Sequence, residues 1–298
     1  MLLIFAVSDA FSQMAQPSTG TIKRFENFRS EYVDSRNIDV WLPNGYSKKK
    51  KYAVLYMHDG QMLFDSTHTW NNQEWAVEDV LGKLMAGKSI RNCIVVGIWN
   101  NGVYRHSEYF PQKIVANIPQ ETRSRIIHQQ LHDKPRSDNY LKFIVLELKP
   151  FIDSAFSTLP GCSSTFVMGS SMGGLISLYA LCEYPGVFGG AACLSIHSPV
   201  AITELIDDHT DAEVAGKFRD YLSGNLPKAN TRKIYFDYGS ETLDSLYKPY
   251  QVQIDRIMKD KGYTSKYWIT RQFPGESHTE RSWSKRLELP VMFLLGRK

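Results

Sequence analysis

Short apolar runs and helix-spaced apolar residues alternate along most of this chain. Residues 52–57, 93–99, 165–168 and 190–196 are nearly continuous apolar runs, the pattern of strands buried on both faces of a parallel sheet. Residues 232–239 and 267–270 read as two further strands. Helical spacing fills the intervals. In 75–85, Val77, Val80, Leu81 and Leu84 share a face; in 140–156 the apolar positions are Phe143, Leu146 and Ile152. After Gly174, Leu175, Leu178, Tyr179 and Cys182 form the apolar side of an amphipathic helix. Residues 200–222 hold weak helices, and 250–258 and 283–295 stronger ones. Near the N-terminus, 19–29 is a polar lead-in, and 31–43 alternates about a turn, as an edge hairpin closed by Pro43 and Gly45 would. No linker or internal repeat interrupts the alternation. It predicts a single α/β domain over residues 19–298, with a mostly parallel central sheet flanked by helices and an edge hairpin at the N-terminus.

Two stretches stand outside the alternation. Residues 103–137 mix Arg, His and Gln with prolines and show no strong period. They are too long for an ordinary connection and read as a lid over a site. Residues 1–7 are apolar and 8–16 small and polar, as around a secretory cleavage site, although a basic start and a longer apolar core are missing. Residues 1–18 are therefore read as a truncated signal peptide cut near Ser12 or Ala15, or as a disordered leader. The protein is expected to be secreted or periplasmic, with a cytoplasmic location as the alternative.

Composition narrows the function. The net charge of +4 over 298 residues is mild, and no dense basic block carries interleaved aromatics, which disfavours a nucleic-acid partner. Only Lys48 to Lys51 form a basic run, at an apparent turn. No other stretch is long and apolar enough to span a membrane. The four cysteines (Cys93, Cys162, Cys182 and Cys193) are too few for a disulfide scaffold. Three of them sit in apolar surroundings, as core residues do. No CxxC or HExxH spacing argues for a metal.

Candidate chemistry centres on Gly169-Ser170-Ser171-Met172-Gly173-Gly174. Read as Gly169-x-Ser171-x-Gly173, it is a nucleophile elbow, in which a strand turns at once into a helix and leaves one serine at the corner. A side chain at either flanking glycine would collide with the neighbouring strand or helix. The Ser171 hydroxyl then projects above the strand end. The Met172 amide, at the helix N-terminus, points toward the same space and suits a developing oxyanion. The pentapeptide alone arises by chance in many chains. The strand before it, the helix after it and the partners that follow give it a catalytic meaning.

An acyl-transfer serine needs a base, and the base needs an orienting acid; in this fold class the order is Ser, acid, His. His278 follows the last predicted strand, in a loop just before the terminal helix. His58 and His197 also end predicted strands and are placed at the pocket. Their order along the chain suits a base less well, and His197 is read as a substrate contact. For the acid, the loop after 232–239 offers Asp237, Glu241 and Asp244. Asp237 alternates within the strand and points away; Asp244 is preferred, with Glu241 as the alternative.

Four segments together, Leu55-Tyr56-Met57-His58-Asp59-Gly60-Gln61, the elbow, Tyr184-Pro185-x-Val187-Phe188 and Gly275-Glu276-Ser277-His278, carry a likeness. From about Tyr32 onward the chain resembles the putative esterase family of α/β-hydrolases. That family includes esterase D-like proteins, feruloyl and acetyl-xylan esterases, and enterochelin esterases. The resemblance implies that the Asp59–Gly60–Gln61 loop supplies the second oxyanion amide, from Gln61, with Gly60 beside the substrate. Met62 stands where similar proteins often carry Asn. The segment Arg105-x-x-Glu108-Tyr109-x-Pro111 also fits the family pattern. It implies either that Arg105 and Tyr109 contact substrate or that an Arg–Glu pair fixes the loop. The implied activity is that of a serine carboxylester hydrolase with no metal or organic cofactor. Its substrates would be acyl esters of small molecules or plant polysaccharides, of acetyl or feruloyl type. Siderophore ester hydrolysis and acyl transfer to a sugar are the alternatives.

Overall fold

A computed structural model describes residues 15–198 and 208–297. The expected leader at 1–18 therefore falls mostly outside the described residues, as does the start of the helical stretch expected at 200–222. Eight strands form one sheet in the order β1-β2-β4-β3-β5-β6-β7-β8. Its centre is built from β3 (Ala53–His58), β4 (Cys93–Ile98), β5 (Thr165–Ser170) and β6 (Gly190–Leu194), in which every residue is buried. That double-sided burial is why these strands read as unbroken apolar runs. β7 (Lys233–Tyr238) and β8 (Trp268–Gln272) extend the parallel set, whereas β1 (Thr21–Phe28) and β2 (Arg36–Leu42) pair antiparallel at the other edge.

The hairpin lies earlier than its sequence pattern suggested. Residues 19–29 hold the edge strand β1, and the residues between Phe28 and Arg36 make the turn. β1 reads as polar because both its faces are half open. On one side Phe25 and Phe28 anchor it, edge-on against Phe151 at 4.9 and 5.1 Å between ring centroids.

The sheet divides the core in two. On one face, α1 (Val77–Ala86), α10 (Glu280–Arg286) and α11 (Glu288–Leu295) cover Leu55, Met57, Val95, Met168 and Tyr235. On the other, Val54, Tyr56, Val96, Val167 and Phe236 meet the remaining helices, α8 (Asp208–Asn225) and α9 (Lys248–Asp260) among them. There the segment 103–137 forms α2 (Arg105–Tyr109), α3 (Gln112–Asn117) and α4 (Gln120–Gln130). Tyr109, Phe110, Ile114, Ile126 and Leu131 are buried in this core, so most of the stretch expected as a lid is packed helical layer. Its lack of period follows from three short helices taking turns at one core.

Two helical expectations shift. α7 (Met172–Glu183) is buried on every side save Glu183, because helices cover its outer face as the sheet covers its inner one. It is apolar all round rather than amphipathic. Between α5 (Ser137–Lys142) and α6 (Lys149–Ala155), Phe143–Leu148 winds as a π-helix. The wider turn breaks the 3.6-residue spacing, and Leu146 turns outward, 54% exposed. The expected terminal helix is two, α10 and α11, meeting at Leu287.

The lead-in is tied down at β2 and α1. Trp41 Nε1 donates to Thr19 O at 2.7 Å, and Ser18 N donates to Glu78 Oε1 at 3.2 Å. Glu78 is buried and its Oε2 has no hydrogen-bond partner among the described residues. Burial, with Asp79 and Glu74 nearby, pushes its carboxyl up to about 7. A carboxyl raised in the folded state costs stability when ionised: the penalty is full above about pH 7 and fades as pH falls toward the ordinary glutamate range. Glu78→Gln is therefore expected to raise Tm by about 2–4 °C at pH 8 and by progressively less below pH 7, read by thermal unfolding across pH.

Candidate active site

Order along the sheet reverses at β3. The chain leaves β3 toward β4 on one side and leaves β5 toward β6 on the other. The carboxyl ends of β3 and β5 therefore flank a crevice, the usual ligand position in an open α/β sheet. A cavity of about 570 Å³ lies there, lined by Gln61, Arg105, Ser170, Ser171 and His278 among others.

Ser171 occupies the corner between β5 and α7 with φ 55° and ψ −124°, a conformation that costs a non-glycine residue about 1–3 kcal/mol. The neighbours hold it there. Ser171 N donates to Leu194 O at 2.9 Å, and the Ser171 carbonyl accepts from Leu175 N at 3.1 Å and His197 N at 3.2 Å. Gly169 is needed because a Cβ would sit 2.6 Å from the Gly173 backbone. Met172 begins the helix directly after the serine.

The structure brings His278 and Asp244 together. His278 Nδ1 lies 2.6 Å from Asp244 Oδ1, and Thr242 Oγ1 accepts from the His278 amide at 2.9 Å. Asp244 Oδ2 accepts from Ser195 Oγ at 2.6 Å and from Gly239 N at 2.5 Å. Burial alone would raise the Asp244 carboxyl. The bond and charge of His278, followed by Ser195 and Gly239, outweigh it and hold the group below its ordinary range. Glu241 is exposed and accepts from Ser240 Oγ at 3.0 Å, so the alternative acid does not engage His278. Asp237 is buried against Arg286 Nη2 at 3.0 Å.

The loop after β3 is fixed with similar care. Asp59 has a left-handed φ of 56°, and its carboxylate is gripped by Arg105 Nε and Nη2, each at 2.8 Å, and by Asn100 Nδ2 at 2.7 Å. Burial pushes this carboxyl up, but Arg105 and Asn100 more than offset it and hold it below the ordinary range. Gly60 admits no side chain, since a Cβ would stand 2.5 Å from the Gly97 carbonyl carbon. Gln61 Oε1 accepts from Asn100 N at 3.2 Å, and Gln61 itself lines the cavity.

The Arg–Glu pair suggested for this region is rearranged. Glu108 is forked by Arg36 on β2, at 2.7 Å to each oxygen, and Arg105 belongs to Asp59. Tyr109 is wholly buried beneath the loop, its hydroxyl accepting from Asp59 N at 3.3 Å, and it does not line the cavity. Neither do His58 and His197. His58 Nδ1 pairs with Tyr140 Oη at 2.8 Å, and burial lowers its imidazole to about 4, so it is neutral at ordinary pH. His197 Nδ1 meets Tyr247 Oη at 2.8 Å.

One wall was not read from sequence. Trp70, Asn71, Gln73 and Trp75, on the loop between β3 and α1, line the cavity beside Glu280 and Trp283. Asn71 Nδ2 donates to Glu280 Oε2 at 2.8 Å, and Arg281 N donates to Gln73 Oε1 at 3.2 Å, so the loop is bonded to the start of α10. Trp70 is 83% exposed at the rim. A lone tryptophan within Asp65-Ser66-Thr67-His68-Thr69-Trp70-Asn71-Asn72 was the available sign. Among the described residues, no group of three or more His, Cys, Asp or Glu side chains is arranged to hold a metal. Nor is any helix among them long and apolar enough to cross a membrane.

A strained serine at a strand–helix corner and an Asp-bonded histidine thus face one cavity at the carboxyl edge of an α/β sheet. The chain belongs to the putative esterase family, whose model matches residues 30–287. It is similar to the uncharacterized protein YjcH of Bacillus subtilis, 24% identical over 196 residues, covering 65% of this chain and 70% of that protein. Among solved structures, a ferulic acid esterase superposes with a TM-score of 0.64 at 17% identity, over 92% of this chain and 98% of its own. The enterobactin esterase FES from Shigella flexneri gives a TM-score of 0.64 at 17% identity, over 94% of this chain and 60% of that one. At these identities the structural likeness speaks for the fold.

Proposed function

We propose that this esterase is a serine carboxylester hydrolase in which Ser171, His278 and Asp244 act as a triad. The observation that supports the reading is the cavity shared by Ser171 and His278, with His278 Nδ1 held 2.6 Å from Asp244. Ser171 Oγ attacks the ester carbonyl as His278 Nε2 takes its proton. The amides of Met172 and Gln61 receive the oxyanion, each worth about 3–4 kcal/mol in such sites. His278 returns the proton to the leaving alcohol, and water repeats the sequence on the acyl-serine. Asp244 keeps the imidazole proton on Nδ1, leaving Nε2 free to act as base.

The lining favours a neutral, planar or hydroxyl-bearing substrate. Trp70, Trp75 and Trp283 offer apolar faces, and Gln61, Asn71 and Gln73 offer amides. Arg105, the cation of the lining, is already engaged by Asp59, so the site is not built for a carboxylate. Acyl esters of small molecules or plant polysaccharides, of acetyl or feruloyl type, fit this description.

A fluorophosphonate probe should label the wild-type protein at Ser171, located by peptide mass mapping. Labelling at another serine, or none on active protein, overturns the reading. Turnover of methyl ferulate, acetyl-xylan, a triacetyl sugar and enterobactin then orders the substrates, with free acid as product. Trp70→Ala is expected to raise KM for the preferred ester by about tenfold with kcat little changed, since an exposed ring binds ground and transition states alike. Steady-state kinetics on that ester checks it.

A further inference from the structure

We propose that Ser195 is a positioning residue that links the buried Arg286 cation to Asp244 and so fixes the carboxylate facing His278; the inference rests on the triad reading above. Ser195 stands just past β6 with φ 42°, wholly buried and outside the cavity lining. Three groups surround its hydroxyl. Trp283 Nε1 donates to it at 2.9 Å, Arg286 Nη2 donates at 2.9 Å, and Asp244 Oδ2 lies 2.6 Å away.

Counting protons settles the direction of these bonds. An indole N–H and a guanidinium can only donate, so the two lone pairs of Ser195 Oγ are occupied. Its single proton is left for Asp244 Oδ2. Gly239 N gives that oxygen a second bond, which leaves Oδ1 for His278 Nδ1. The carboxylate cannot rotate without breaking a buried bond.

Charge follows the same path. Arg286 Nη2 sits 3.0 Å from Asp237 Oδ1 and 3.8 Å from Asp244 Oδ2. One cation thus stands between two buried carboxylates, and the serine hydroxyl carries its polarisation to the farther one. Burial pushes Asp237 up to about 6, with Arg286 opposing. Other titratable groups around Asp244, His278 and Arg286 include Tyr247, its ring edge-on to His278 at 5.7 Å, His197 bonded to Tyr247, Tyr235 beside Asp237, and Glu276 paired with Lys285. Asp59, Arg105 and Glu280 also line the cavity. Asp59 and Arg105 offset each other, and Glu280 is bonded to Asn71.

Ser195→Ala removes the donated proton and leaves two donors facing a methyl group. Ser195→Gly does the same in a backbone conformation that glycine adopts readily, and provides a folded variant should alanine not fold. For either, kcat is expected to fall about 10- to 100-fold with KM within about twofold of wild type. The acid limb of kcat/KM against pH should move upward, because a carboxylate with one donor fewer holds the neighbouring imidazolium proton more tightly. Ser195→Cys, a weaker donor, should fall between. The low-field proton resonance of His278 Nδ1–H should shift from its wild-type position. An unchanged pH profile and an unchanged resonance in a folded variant overturn the inference. Fluorophosphonate labelling reports separately on Ser171: if wild-type protein does not label, the triad reading fails, and the resonance alone still decides whether Ser195 orders the Asp244–His278 pair.

Discussion

Ser171→Ala is expected to lower kcat/KM for p-nitrophenyl acetate by about 10⁴-fold or more while leaving KM nearly unchanged. Without Oγ there is no acyl-enzyme, and only substrate positioning and the oxyanion amides remain, which together sustain a small residual rate. The variant should fold normally. Both residues share the backbone cost of φ 55°, and the bonds that hold the corner, to Leu194, Leu175 and His197, are all backbone bonds. Far-UV CD and Tm close to wild type, with loss of fluorophosphonate labelling, complete the expected result. Activity retained within tenfold would place the nucleophile elsewhere.

The central strands and the serine corner were legible because their causes are local. A strand covered on both faces has to be apolar throughout, and a strand that turns directly into a helix has to carry small residues where Gly169 meets Gly173. Ser171, Asp244 and His278 come in that chain order because the loops after β5, β7 and β8 open at one edge of the sheet. Asp244 could be preferred over Glu241 from sequence, but what separates them is burial: one lies inside the turn against Ser195 and Gly239, the other in solvent.

What stayed hidden depends on pairings between distant parts of the chain. Arg36 reaches Glu108, freeing Arg105 for Asp59, only because β2 lies beside β4 in the sheet. Ser195 reaches Asp237 and Arg286 because β6 and β7 run in register, with Leu194 opposite Asp237, while α10 packs at their ends. No local periodicity encodes such meetings. β1 escaped notice for another reason, since a half-exposed edge strand carries little hydrophobic pattern to read.

Asp244→Asn is expected to lower kcat by about 10⁴-fold, whereas Glu241→Gln should stay within about twofold of wild type. The difference follows from the hydrogen bonds that Asp244 makes. Its Oδ2 receives Gly239 N and the Ser195 hydroxyl, whose own lone pairs are filled by Trp283 and Arg286. An asparagine must therefore place its carbonyl oxygen there and turn its NH2 group toward His278 Nδ1. A donor facing Nδ1 forces the imidazole proton onto Nε2, the nitrogen that should accept the proton of Ser171. The base is then blocked although every side chain keeps its place. Nitrogen-resolved NMR of the His278 ring should show the exchanged tautomer in Asp244→Asn and the wild-type tautomer in Glu241→Gln. Substantial activity in the asparagine variant, or its loss in the Glu241 variant, would move the acid away from Asp244.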